Sequence, residues 1–295
     1  MDRLRKAALA LLALLAGWLG AAGAAGAAPA LWLVKNDRTQ IYLFGTLHAL
    51  PPQMSWRTPL YDQAYGRAGT VWFEAAVDQA DPLTVGNIVA RYGVDPDRPL
   101  SQKLPAATLA QLRRETDLTR IDHLRPWAAA LMLSMQPALG RGASVAAGAD
   151  LVMTREARTE AKRIRTFETL EDQARLFANL SEPAEVGYLT EVIRERVDHP
   201  RLSLRPTPES LQTAWLDGDL GKLGPRLVGE MQRENPAFYE ALLKRRNLAW
   251  ADALTREMAE GSGVELVNVG ALHMVGEDGL PALMAARGFS VTRVQ

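Results

Sequence analysis

"IYLFGTLHALPP", residues 41–52, decides the fold. Ile41, Tyr42, Leu43 and Phe44 form an apolar run that reads as a buried strand, and it breaks at Gly45. Three residues past the glycine comes His48. The other end of the chain repeats the arrangement: in "VELVNVGALHMVGEDG", residues 264–279, an apolar run ends at Gly270 and His273 follows. Two of only four histidines therefore share one context, strand–Gly–x–x–His. Glycine lets a backbone turn sharply or approach another group closely. Ligands of an open α/β sheet gather beyond the carboxyl ends of its strands. Both histidines are expected at that edge.

Working outward, "LWLVKNDRTQIYLFG" (31–45) reads as a β-hairpin with a polar turn at Lys35–Thr39. A further strand is expected over 70–77, "TVWFEAAV". From about Ser101 to Arg163 the periodicity is helical, "IRTFET" (164–169) returns to strand, and helix resumes at 170–197 and 208–260. The stretch 197–210, with its prolines, reads as a loop. "GVELVNVG" (263–270), a short helix over 278–287 and "FSVTRV" (289–294) close the chain. The fold class predicted is α/β: a mixed central sheet formed by strands from both chain ends, with a large helical middle segment.

Residues 1–27 are expected to be a signal peptide: Arg3, Arg5 and Lys6 precede an apolar run, and small residues crowd its end. Cleavage is expected between Ala25 and Leu31. A retained N-terminal anchor is the alternative, but the run is shorter than the roughly 20 residues of a spanning helix. Residues 28–295 are then expected to be one α/β domain with a helical insertion at about 101–260. The chain has no cysteine. Disulfides, thiolate ligands and a cysteine nucleophile are thereby excluded, and a periplasmic or secreted location without disulfide dependence fits. The full chain carries 34 Lys/Arg and 34 Asp/Glu; losing the leader removes three basic groups and one acidic, leaving a net charge near −2. That balance gives no reason to expect nucleic acid as a partner. No later stretch is apolar enough for stable membrane insertion.

Two carboxylates join the histidines at the expected sheet edge: Glu74 after Val71–Phe73, and Glu168 after Ile164–Phe167. Two imidazoles and a carboxylate are a known ligand set for divalent metals, with open positions for water. Each element also has a structural reading, since a lone buried histidine is more often a core residue and strand-end carboxylates cap helices. In "AFYEALLKRRNLAWADALTREM" the apolar line Leu243, Trp250, Leu254, Met258 passes through Asn247. Arg246 and Asn247 are either a solvated helix flank or groups that support the site or orient a substrate. His123 and His199 read as structural. "GRGASVAAGAD" (140–150) follows a helical pattern, which fails the context test for dinucleotide binding. Neither a Gly-x-Ser-x-Gly elbow nor a His-Glu-x-x-His motif is present.

"LFGTLHALP", "WFEAA", "GAD" followed by "FETLEDQ", "RRN" and "VNVGALHMVGEDGLPALMAARGFSVTRV" resemble the TraB/GumN family, which is related to the Tiki metalloproteases. The resemblance runs from about Leu31 to Val294. It implies an α/β fold and a metal-dependent, peptidase-like site, with His48, His273 and Glu74 as metal ligands. Glu168, Arg246 and Asn247 match further motif positions and join Glu74 as candidate catalytic groups. The expected function is a periplasmic metal-dependent hydrolase of amide or peptide bonds, using Mn, Co or Zn and acting on a peptide or small amide. The alternative is a non-catalytic periplasmic metal- or haem-binding protein of the same superfamily, with Trp56, Trp72, Trp127 and Tyr188 available for an apolar slot.

Overall fold

The computed structural model describes residues 28–79, 81–197 and 208–295. The expected signal peptide, and His199 with most of its proline-containing loop, lie outside the described residues. The hairpin forms as read: β1 (Leu31–Lys35) and β2 (Thr39–Thr46) pair antiparallel. Its turn is held by Asn36, whose Oδ1 accepts the N–H groups of Arg38 and Thr39 at 2.9 and 2.8 Å. Four more strands complete the sheet: β3 (Thr70–Phe73), β4 (Arg163–Thr166), β5 (Gly263–Gly270) and β6 (Ser290–Arg293). Their spatial order is β4-β3-β5-β2-β1-β6. The four strands β4, β3, β5 and β2 run parallel, while β1 lies antiparallel to both its neighbours. The mixed sheet therefore joins both chain ends, with one edge strand, β4, supplied from the middle.

The helices of seven or more residues are α1 (Pro59–Arg67), α2 (Pro82–Tyr92), α3 (Ala106–Glu115), α4 (Pro126–Gly140), α5 (Ala149–Thr159), α6 (Leu170–Ala178), α7 (Glu182–Val197), α8 (Pro208–Leu216), α9 (Arg245–Glu260) and α10 (Leu280–Ala286). Alternation along the hairpin buries both sheet faces. Leu31, Tyr42 and Phe44 pack with Tyr61 and Trp215 on one side. Trp32, Val34, Ile41 and Leu43 pack with Trp250, Leu254 and Met258 on the other. Each such side chain contributes about 1.5–3 kcal/mol by leaving water. A third core, including Leu112, Leu133, Leu189 and Ile193, lies among α3, α4 and α7 and includes no residue of the sheet.

Several element boundaries differ from the sequence reading. The strand expected over 70–77 stops at Phe73, and the chain turns into a short 3₁₀ segment at Val77–Gln79, where Asp78 accepts from Arg158 of α5. Helices α1 and α2 precede the expected start of the helical region. The helical stretch read over 208–260 is divided into several pieces, with π turns at Gly224–Val228 and Glu240–Lys244. A π turn inserts extra chain into the helical repeat and changes which side chains face the sheet. The second of these ends just before Arg246.

Candidate functional site

The strand register explains how two distant histidines meet. Strands β2 and β5 are parallel neighbours, with Gly45 beside Val269 and Thr46 beside Gly270. On the other side of β5 lies β3, with Phe73 beside Asn268. Three adjacent parallel strands thus end together and deliver His48, Glu74 and His273 to one edge. A Cβ built on Gly270 would lie 3.1 Å from Glu74 Oε1, 3.6 Å from His48 Nε2 and 3.6 Å from His273 Cδ2. All three candidate ligands border the space that this glycine leaves open. Both motif glycines serve close approach rather than a left-handed turn. At Gly45, inside β2, a Cβ would sit 2.8 Å from the Ala271 Cα.

Arg246, from the first turn of α9, lies at the centre of the constellation. Its Nε and Nη2 donate to the two oxygens of Glu168 at 2.8 Å each, and Nη2 also donates to Glu74 Oε2 at 2.6 Å. Nη1 donates to the Leu242 carbonyl at 3.0 Å and faces His273 Nε2 at 3.1 Å. All five guanidinium N–H groups are thereby used, two of them in a bidentate carboxylate pair. The next residue, Asn247, fixes the His273 ring. Its Nδ2 donates to the Asp278 carbonyl at 2.7 Å, which turns Oδ1 toward His273 Nδ1 at 2.5 Å. His273 therefore carries its proton on Nδ1 and presents the Nε2 lone pair to the cluster. The Trp250 ring lies 4.4 Å from the imidazole, centroid to centroid.

Glu74 is equally committed. Oε1 accepts the Gly270 N–H at 2.6 Å, and Oε2 accepts from Arg246 and from Gln173 of α6, the latter at 3.3 Å. Burial would raise this carboxyl, but the two histidines, Arg246 and the Gly270 N–H hold it down to about 2. Burial pushes His273 down to about 3, against the pull of Glu74. His273 is thus neutral near pH 7, and Arg246 is the cation bonded directly to Glu74.

His48 differs in setting. Its Nδ1 lies 3.2 Å from Asp150 Oδ2, and its side chain is 58% exposed. Desolvation by the surrounding wall works to lower it, yet the hydrogen bond and charge of Asp150 and the charge of Glu74 outweigh that and raise it above its usual value, a rise that the exposure of the ring tempers. The loop carrying His48 is laid on the start of α5, where the Ala149 N–H donates to the Leu47 carbonyl at 3.0 Å.

The structure gathers His48, Glu74, Glu168, Arg246, Asn247 and His273 into one cluster. His123 lies exposed in a turn elsewhere, as a structural residue would. The solvated-flank reading of Arg246 and Asn247 fails, because both are buried at 6% and 1% exposure. A ligand on a strand-end loop would add little packing, but His273 is buried and bonded at both nitrogens, so it does contribute to the fold. Sequence reasoning missed Asp150 and Gln173. Asp150 lay in the quoted "GAD", yet its partner sits 102 positions away and nothing local announces it.

The donor set suits a divalent metal. Both imidazoles can turn Nε2 toward the Gly270 cradle while Nδ1 is held by a carboxylate or amide oxygen, the usual support for ligating histidines. As arranged, however, no group of three His, Asp or Glu side chains among the described residues stands close enough to hold an ion. His273 Nε2 and Glu74 Oε1 are 3.6 Å apart, with the Arg246 guanidinium bonded to both residues. Entry of an ion requires that guanidinium to release His273 Nε2.

Beside the cluster is a cleft of about 520 Å³, within the range of small-ligand sites, lined by Gln79, Asn87, Tyr92, Thr166 and Glu168 among others. No helix among the described residues is long and apolar enough to cross a membrane. No curated protein and no solved structure matches the chain. A family model does match, over residues 30–293, which includes every member of the cluster: the chain belongs to the TraB/PrgY/gumN family.

Proposed function

We propose that this chain is a metal-dependent hydrolase of amide or peptide bonds, with His48, His273 and Glu74 as the ligands of a divalent cation such as Mn²⁺, Co²⁺ or Zn²⁺. The observation that carries the proposal is the convergence of the three on the space above Gly270, each already oriented by another residue. Such a cation, when bound, polarises a carbonyl and lowers the pKa of water toward neutrality. The protein supplies the positioning. Asp150 holds Nδ1 of His48, and Asn247 holds the Nδ1 proton of His273. Arg246 fixes Glu74 and Glu168 relative to each other. Both oxygens of Glu74 already accept strong hydrogen bonds, which suits an anionic ligand better than a proton acceptor. Arg246 and Asn247 act as positioning residues, because their donors and acceptors are spent inside the cluster. Glu168, which also lines the cleft, is the member of the set best placed to meet a substrate.

The haem-binding alternative finds less support. Trp56 packs with Phe44 and Tyr61, Trp72 stacks on Phe167, Trp127 on Phe177 and Tyr188 on Phe238. Those four aromatic side chains are taken up in packing and do not line a slot beside the histidines.

Calorimetric titration of the chelator-treated protein with Mn²⁺, Co²⁺ and Zn²⁺ tests the ligand assignment. Asp150→Ala frees the His48 ring and should weaken affinity by about 10–100-fold. Binding that is unchanged in both Asp150→Ala and His48→Ala would exclude this site, and absence of metal-stimulated cleavage across a peptide library would exclude the hydrolase. A periplasmic location belongs to the same proposal and rests on residues 1–27. Recovery of the protein only from the cytoplasmic fraction would overturn the location, and an intact Met1 on the periplasmic protein would overturn cleavage between Ala25 and Leu31.

A further inference from the structure

The sheet has one edge next to the cleft. In the β3–β4 ladder, Phe73 pairs with Thr166, and the Phe167 N–H donates to the Phe73 carbonyl at 3.1 Å. In a parallel ladder that pattern turns the N–H and C=O of Thr166 away from β3, and those of Ile164 two residues earlier likewise. Strand β4 is the last in the sheet, so no further strand accepts these groups. None of them has a backbone or side-chain partner among the described residues. An exposed edge of this kind is a template for pairing with another extended chain.

The cleft continues from that edge. Thr166 ends β4 and lines it, and Glu168 two residues on connects it to Arg246. Its charged groups neutralise one another: Arg91 reaches Glu171 at 3.4 Å, and Glu168 is held by Arg246. The side-chain amides of Gln79 and Asn87 and the Thr166 hydroxyl, in contrast, make no hydrogen bond among the described residues. The lining thus offers uncommitted amide and hydroxyl groups with little net charge. Such a surface matches the carbonyls and N–H groups of a main chain rather than an ionic headgroup.

We propose that the free edge of β4 and the adjoining cleft are the substrate site, binding an extended, uncharged peptide segment as an added strand whose end reaches Glu168. This deepens the hydrolase reading and rests on it for the fate of the peptide, but not for its binding. The contrast with a small amide is definite, since pairing at Ile164 and Thr166 needs at least two peptide units in register.

The test uses chelator-treated protein and a fluorescein-labelled heptapeptide of Ala, Ser and Val, followed by anisotropy. The same peptide with every amide N-methylated cannot donate to the edge. The expected result is at least tenfold weaker binding of the methylated peptide. Thr166→Pro, which removes an outward N–H at an edge position that tolerates proline, should give a similar loss with unchanged metal affinity. Equal binding of the two peptides by the unaltered chain, or no binding of either, overturns the proposal even if the variant fails to fold. The two readings fail separately. Peptide binding without metal-stimulated cleavage removes the hydrolase and leaves this site. Metal-stimulated cleavage of a small amide, with no discrimination against N-methylation, removes this site and leaves the hydrolase.

Discussion

Arg246→Met should destabilise the protein by about 3–5 kcal/mol, the range for breaking a buried ion pair by removing one partner. Methionine fills much of the space but leaves Glu74 and Glu168 side by side without their cation, at 13% and 12% side-chain exposure. His273 Nε2 also loses its donor. Urea midpoints of the metal-free proteins measure the effect. His273→Ala belongs to the same series and should cost less, about 1–3 kcal/mol, because it leaves Asn247 and one N–H of Arg246 without a partner while Arg246 keeps both its carboxylates. Added Mn²⁺ should raise the midpoint of Arg246→Met more than that of the unaltered protein, since a ligand binding only the folded state stabilises it and the competing guanidinium is gone. A loss below 1 kcal/mol for Arg246→Met would show that the cluster is more hydrated than its burial indicates.

Gly148→Ala is the second substitution expected to have a large effect, although it adds one methyl group. Gly148 has φ −55° and ψ 139°, which alanine adopts freely, so the obstacle is purely steric. The new Cβ would lie 2.2 Å from the His48 carbonyl oxygen and 2.6 Å from its carbon. Those are backbone atoms and cannot rotate away. Either α5 or the His48 loop must shift, which separates Asp150 from His48. The expected cost is about 1–3 kcal/mol, typical of overpacking, together with loss of metal affinity of the size expected for Asp150→Ala. Gly86→Ala is the matched control. In α2, nothing lies within 4 Å of its added Cβ, and a helix-interior glycine replaced by alanine should gain roughly 0.5–1 kcal/mol. Thermal unfolding of the two variants side by side gives opposite signs if the close approach at Gly148 is real. Equal behaviour would mean that the His48 loop is free to move.

Elements whose side chains face two environments could be read directly. The hairpin and β5 alternate or run apolar because their residues pack against helices on both faces, and the same burial that holds them also marks them in the sequence. Helix α2 was missed for the converse reason: it has no buried residue, and Leu83, Val85 and Val89 are exposed. Its apolar positions Val85, Ile88, Val89 and Tyr92 do recur at helical spacing, but none of them is buried, so the pattern marks no core-facing side. Helix α1 is short, and its buried residues, Tyr61, Ala64 and Tyr65, are too few to establish one.

The sequence by itself determined that two Gly-x-x-His units follow buried strands, that Glu74 and Glu168 end two others, and that a mixed α/β sheet joins both ends of the chain. Only the tertiary structure decided that β3, β5 and β2 are adjacent and parallel, because strand order depends on non-local packing that no local pattern records. That order brings His48, Glu74 and His273 to one cradle. It also decided that Arg246 is the cation at the centre and that Asp150 orients His48. A charged residue reads the same in a sequence whether it faces water or another buried charge, and its partner here comes from a distant strand or helix.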